Sequence, residues 1–382
     1  MVKKGYKQTE IGVIPEDWEV KPLKVVAPLQ RGFDLPYSSI KDGIYPVVFS
    51  NGIGAYHSSY MVKGPGVVMG RSGTIGKIHY VKSDYWPHNT TLWVTDFHNN
   101  DPLFASYLFK TIPWNLYNSG SGVPTLNRND VQDYLVAIPS PKEQTEIAAI
   151  LSDVDTLINS LKRQIVKKKA IKQGAMQELL TGKKRLPGFS GDWIKSNIGS
   201  CIIEKPSYGI NAPAVDFNGF LPRYIRITDI SKDGRYCKDA QASVSAENVE
   251  PFLLKTNDIV LARTGASVGK SYIYDEHDGR LVYAGFLIKM SIDPQKADSR
   301  FIFGVLHTYD YWKWVAQTSM RSGQPGINGE EYASYEFRMP SDLKEQKAIA
   351  DILTNMDNEI VTLGKKLIKY RQVKQGMMQQ LL

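Results

Sequence analysis

From Ile147, the apolar residues Leu151, Val154, Ile158, Leu161 and Ile165 follow at alternating steps of four and three. The series Ile349, Leu353, Met356, Ile360, Leu363 and Leu367 repeats that rhythm. Such spacing draws an apolar stripe along one side of an α-helix and matches the seam of a coiled coil. Pro141 precedes one series and Pro340 the other, and each stops a strand-like segment before the helix starts. A helix of 39 residues rising about 1.5 Å per residue spans about 58 Å. One stripe alone reads equally well as a helix packing on its own domain. Two matching stripes favour pairing, and an antiparallel pair would hold two equivalent domains at opposite ends of a rod with pseudo-twofold symmetry.

Between the helical stretches the pattern changes period. Residues 1–140 and 192–340 alternate short β-branched and aromatic runs with Gly, Pro, Asn and Asp turns, as in Val67-Val68-Met69, Ile78-His79-Tyr80-Val81 and Thr91-Leu92-Trp93-Val94. Short helical patterns lie at 102–110 and 298–307. The fold class that follows is α+β: two similar domains with mainly antiparallel sheets, separated by two long helices forming an antiparallel coiled coil.

The two halves are copies. Residues 142–180 lie over 344–382 without a gap at an offset of 202, with 18 of 39 pairs identical, among them Lys142-Glu143-Gln144 over Lys344-Glu345-Gln346 and Lys172-Gln173-Gly174 over Lys374-Gln375-Gly376. Upstream, Gly122, Pro124, Asn127 and Pro139 match Gly323, Pro325, Asn328 and Pro340 at 201. Val67–Gly73 matches Ile259–Gly265 at 192, and Asp17-Trp18 matches Asp192-Trp193 at 175, so the second copy carries insertions. The resulting layout is a first domain over 1–141, a long helix over 142–182, a linker over 183–191, a second domain over 192–340 and a second long helix over 341–382. Gly174 and Gly376 interrupt good helix formers at a cost of about 1 kcal/mol each. Either each glycine admits a neighbouring backbone, or it ends the helix and leaves an apolar tip of Met176, Leu179 and Leu180, or of Met377, Met378, Leu381 and Leu382, for a docking partner or the neighbouring domain.

Composition narrows the function classes. The 382 residues include 47 Lys and Arg against 39 Asp and Glu, a net charge of +8, which suits a polyanionic partner. Two cysteines, Cys201 and Cys237, cannot build a disulfide framework or a four-cysteine zinc site, which fits a reducing cytoplasm. The polar start and the lack of a run of about 18 apolar residues argue against secretion and membrane spanning.

The most suggestive chemistry lies in the loop Gly70-Arg71-Ser72-Gly73-Thr74-Ile75-Gly76-Lys77 and its counterpart Ala262-Arg263-Thr264-Gly265-Ala266-Ser267-Val268-Gly269-Lys270. Glycines allow close backbone approach, while hydroxyls and cations offer donors to phosphates and base edges; the plain alternative is a tight hairpin with exposed basic residues. A Walker A site requires Gly-x-x-x-x-Gly-Lys-Ser/Thr, and neither copy satisfies it. Asp101-Pro102-Leu103-Phe104 only partly echoes an amino-methyltransferase motif, Glu19-Val20-Lys21 is too short to define a nuclease, and the six histidines show no metal-ligand spacing.

The segment Lys172-Gln173-Gly174-Ala175-Met176-Gln177-Glu178-Leu179-Leu180-Thr181-Gly182, continuing to Phe189 and preceded by Pro141-Lys142-Glu143-Gln144, resembles the central region of Type I restriction-modification specificity subunits. The opening Thr9–Trp18 resembles their amino terminus. The resemblance implies a non-catalytic subunit in which each domain reads one half of a bipartite, asymmetric site on double-stranded DNA. It further implies docking of two modification subunits, which carry S-adenosylmethionine and methylate adenine, and of restriction subunits; no cofactor is expected in this chain itself. The candidate DNA contacts are Arg71, Ser72, Thr74, Lys77, Asn89 and Arg128 in the first domain and Arg226, Arg263, Thr264, Ser267, Lys270 and Arg321 in the second. A protein-interaction scaffold without DNA specificity, or the recognition part of a single-chain restriction enzyme, is the alternative reading.

Overall fold

The computed structural model describes residues 2–120, 122–320 and 324–382. In the first copy, β-branched and aromatic runs form β1 (Leu29–Arg31), β2 (Gly66–Gly70), β3 (Ile78–Val81) and β4 (Thr91–Val94), an antiparallel sheet in the order β1-β4-β2-β3. Strand β2 is buried along its whole length, so its apolar run does not alternate. Val67 and Met69 enter the main core, while Val68 packs with Val48, Val81 and Tyr85 on the other face. Helix α1 (Pro102–Phe109) packs on β2 and β3. It begins where Asp101 accepts from the backbone N–H groups of Leu103 and Phe104, both at 2.8 Å, with Pro102 in the first turn. Pro141 then opens α2 (Pro141–Leu179).

The second copy repeats this plan. Strands β5 (Ser207–Tyr208), β6 (Asp258–Ala262), β7 (Ser271–Ile273) and β8 (Leu287–Ser291) form an antiparallel sheet in the order β5-β8-β6-β7. Helix α3 (Ser299–Val305) is capped by Asp298, and α4 spans Leu343–Leu381. The insertion signalled by the changing offset is visible. Where the first copy has a three-stranded sheet of Tyr45–Phe49, Gly52–His57 and Trp86–Pro87, the second has a four-stranded one of Ala214–Asp216, Arg223–Ile225, Ala242–Val244 and Leu281–Tyr283.

The repeated Lys-Glu-Gln has a structural cause. Gln144 is 1% exposed. Its amide donates to the Pro139 carbonyl at 3.0 Å and to Asn100 Oδ1 at 2.8 Å, and its oxygen accepts from the Asp101 N–H at 2.9 Å. Gln346, also buried, donates to the Pro340 carbonyl at 2.8 Å and accepts from the Asp298 N–H at 3.0 Å. In each copy one glutamine therefore ties the start of the long helix to the cap of the short one and satisfies buried backbone groups. The preceding glutamates differ: Glu143 accepts from the Trp18 indole at 3.2 Å, and the buried Glu345 receives a two-pronged bond from Arg185 at 2.7 and 2.8 Å.

The compact units cut across the sequence repeat. The first comprises residues 1–162 and 365–382, the second residues 163–364, so each is completed by the carboxyl-terminal end of the other copy's long helix. In the first unit, Met377, Met378, Leu381 and Leu382 pack against the core that holds Ile147 and Leu151. In the second, Met176, Leu179 and Leu180 are buried with Ile349 and Leu353. The Lys374 ammonium donates to Asp155 at 2.7 Å in the first unit, and its counterpart Lys172 donates to Asp357 at 2.6 Å in the second. Lys168 also meets Glu359 at 2.7 Å, so the two helical segments in the second unit run antiparallel. The ends of the long helices are thus core elements rather than free tips. Neither glycine ends its helix, and an added Cβ at Gly174 or Gly376 would meet nothing within 4 Å, so no neighbouring backbone among the described residues explains them.

Two outcomes follow for unfolding experiments. Gln144→Leu leaves a buried N–H and carbonyl unsatisfied and should lower stability by about 2–3 kcal/mol, with Gln346→Leu similar. Gly174→Ala and Gly376→Ala should each stabilise the chain by about 1 kcal/mol in denaturant titrations; a loss would mean that the glycines serve the fold itself.

Candidate nucleic-acid interface

The two basic loops occupy equivalent places, joining β2 to β3 and β6 to β7. Their backbones are held alike. Arg71 N–H donates to the Thr90 carbonyl at 2.9 Å, Gly73 N–H to Pro124 at 2.9 Å, and the Arg71 carbonyl accepts from Leu126 at 2.9 Å. In the second unit Arg263 N–H donates to Phe286 at 3.0 Å, Gly265 N–H to Pro325 at 3.0 Å, and the Arg263 carbonyl accepts from Ile327 at 2.9 Å. Gly73 and Gly76 have φ of +80° and +71°, and Gly265 and Gly269 have +68° and +87°. Those left-handed values are why glycine recurs there. The repeated Pro and Asn of residues 124–127 and 325–328 thus mark the segment that clamps each loop.

Among the candidates of the first unit, Ser72 bridges to Thr125, and Thr74 donates to Asn51 Oδ1 at 2.7 Å. Lys77 donates to the Asn51 carbonyl at 2.8 Å. Asn89 donates to Asp34, which also pairs with Arg31 at 3.0 Å. Arg128 is exposed and opens a short helical turn capped by Asn127, two residues beyond the Leu126 clamp. Arg71 has no ion-pair partner among the described residues. His79 and His88 lie in the same region. Burial lowers the pKa of both, more than the Ser50 carbonyl beside His79 or the Leu35 backbone beside His88 raises it, so neither adds positive charge at neutral pH.

In the second unit Thr264 bridges to Gly326 and opens the turn Gly265–Ser267, and the Ser267 carbonyl accepts from Lys270 N–H at 3.0 Å. Lys270 Nζ donates to the Ile230 carbonyl at 3.2 Å. The Arg263 guanidinium lies over the Tyr208 ring, 4.9 Å from its centroid. Arg226 is committed elsewhere: it grips Asp229 with Nε at 2.8 Å and Nη2 at 2.9 Å, and Nη2 also reaches the Ala240 carbonyl. Arg321 lies outside the described residues.

Sequence reasoning missed Asn51, Asp34, Tyr208 and Phe286. Asn51-Gly52 carried a signal, since this pair marks a tight hairpin turn. Tyr208 carried none, because its contact with Arg263 spans 55 residues. Among the described residues no group of three or more His, Cys, Asp or Glu could hold a metal ion, and no helix is long and apolar enough to cross a membrane.

One backbone frame built twice, presenting the same basic loop with different side chains, defines the class: a tandem recognition protein. The chain belongs to the family of Type I restriction modification DNA specificity domains, whose description fits residues 15–171 and 192–370, and its role is that of a non-catalytic DNA-recognition subunit. Among its relatives, the type I restriction enzyme MjaVIII specificity subunit of Methanocaldococcus jannaschii is 24% identical over 73% of this chain and 68% of its own length. A specificity subunit assigned to the MjaX enzyme of the same organism is 25% identical over 100% of this chain and 96% of its own. The crystal structure of a Type I restriction-modification S subunit from M. genitalium shares the fold with a TM-score of 0.68 at 14% identity, covering 96% of both chains.

Arg226→Ala strands Asp229, which is 3% exposed. It should cost about 2–3 kcal/mol of stability in a denaturant titration, whereas Arg71→Ala should leave stability within about 0.5 kcal/mol.

Proposed function

We propose that each unit reads one half of a bipartite, asymmetric DNA site through its basic loop, and that the two long helices pair as a coiled coil that sets half-site spacing. One observation carries this reading: the loop backbones are clamped identically while their side chains differ, as expected of two readers with different targets. Phosphate contacts fall to the exposed cations, Lys77 and Arg128 in the first unit, and these position the chain without specifying sequence. Arg71 and Arg263 reach base edges, where a guanidinium fork matches guanine. Ser72, Thr74, Asn89, Thr264 and Ser267 supply short polar contacts, and Arg226, Lys270 and Arg321 complete the second surface. Half-sites about one helical turn apart, roughly 34–36 Å, present their grooves on the same DNA face.

In this reading two modification subunits dock on the helices and bring S-adenosylmethionine; restriction subunits join that complex, and the assembly works in the cytoplasm. The open space beside Gly174 and Gly376 supports helix docking, because it fits a partner's close approach and the chain itself does not use it. Bending and base flipping would accompany adenine methylation, with the flipping pocket in the partner.

The decisive test is methylation-sensitive sequencing of DNA from cells expressing this chain with its modification partner, against the partner alone. The expected result is a new bipartite motif, methylated on both strands across a fixed gap. No new motif from an assembled complex would favour the interaction scaffold. In binding titrations, Arg71→Ala and Arg263→Ala should each weaken specific binding by about 1–3 kcal/mol.

A further inference from the structure

The two units carry different side chains where their equivalent strands end. In the second unit, Tyr208 on β5 is the register partner of Ile288 on β8, which in turn faces Leu261 on β6. Side chains alternate with a period of two along a strand. Leu261, Ile288 and Tyr208 therefore share one face of the sheet, and just beyond the strand ends the Arg263 N–H donates to the Phe286 carbonyl. The Tyr208 hydroxyl accepts from the Gly329 N–H at 3.1 Å. The face of the ring carries the Arg263 guanidinium, and the Arg263 N–H is held by the carbonyl of Phe286, a turn residue that is 58% exposed.

The same seats in the first unit hold other chemistry. There Arg31 is the register partner of Leu92, which faces Met69, so Arg31 occupies the seat of Tyr208 and Thr90 that of Phe286. Arg31 is turned to Asp34. The first loop thus has a cation where the second has a ring.

We propose that Tyr208 is a positioning residue that holds Arg263 flat for bidentate reading of a guanine, so that the half-site of the second unit contains a guanine at the position Arg263 meets. This rests on the reading of the loops as base-contacting elements. A guanidinium stacked by its face keeps its N–H groups in one outward plane, and guanine alone offers two acceptors, O6 and N7, to such a fork in the major groove. The neighbouring Phe286 ring gives the adjoining base step an apolar contact. A lysine at position 263 would keep the charge and lose the fork.

The test is selection from a duplex library randomised over both half-sites, using the full-length chain in complex with its modification subunits and sequencing the bound DNA. Wild-type protein should enrich a guanine in one half-site. Arg263→Lys and Tyr208→Leu should both relax preference at that single position, by on the order of ten- to a hundred-fold, leaving the other half-site unchanged. Tyr208→Phe, which keeps the ring and loses only the hydroxyl, should retain the preference. A structural role for Tyr208 would instead weaken binding evenly at every position, and that result overturns the proposal, as would Tyr208→Phe behaving like Tyr208→Leu. If Arg263→Lys relaxes a guanine position while Tyr208→Leu does not, the positioning role falls and the loop reading stands. If wild-type protein enriches no motif, both fall together.

Discussion

Each compact unit needs an element that its own sequence copy does not supply. Burial of Met377, Met378, Leu381 and Leu382 against the first core, and of Met176, Leu179 and Leu180 in the second, ties each domain to the far end of the other copy's helix. The aspartate–lysine pairs, Asp155 with Lys374 and Asp357 with Lys172, fix the register of that exchange at an equivalent point in each unit. Their surroundings are not identical. In the first unit the Tyr107 hydroxyl also donates to Asp155 at 2.8 Å; in the second Gly304 takes the place of that tyrosine, and Arg235 reaches Asp357 at 3.2 Å. At Gly304 an added Cβ would come within 3.1 Å of Leu180, so the small residue makes room for the incoming helix end.

The paired loops divide labour between backbone and side chain. The loops at 71–77 and 263–270 are held by main-chain hydrogen bonds and left-handed glycines, neither of which constrains the identity of the residues between them. A frame that is indifferent to its side chains can exchange them without refolding, and the seats of Arg31 and Thr90 in one copy and Tyr208 and Phe286 in the other are an instance of such an exchange. Arg226 marks the limit of that freedom, since its guanidinium holds a buried carboxylate and belongs as much to the fold as to the surface.

Much of this was legible along the chain because it depends on local periodicity. The alternating three and four of Ile147 to Ile165, the apolar run of β2, the short helical patterns at 102–110 and 298–307 and the gapless 202-residue offset each follow from short-range rules of spacing. The buried Gln144 and Gln346 were visible as a repeat but not as a clamp, because their partners at Asp101 and Asp298 lie over 40 residues away. The glycines at 174 and 376 suggested an ended helix, yet helix propensity is weak enough for the surrounding Lys, Gln, Met and Leu to carry the helix through.

The sequence by itself determined two copies of an α+β domain, each followed by a long amphipathic helix, a basic balance and a paired glycine-containing loop. Hydrophobic period, turn residues and identity at a fixed offset are properties of the linear chain. Tertiary structure alone decided which core receives each helix end, which candidate cations hydrogen-bond to Asn51, Asp229 or Ile230, and that Arg263 rests on Tyr208. Those outcomes depend on strand register and on contacts between residues far apart in sequence, where neither propensity nor pattern specifies a partner.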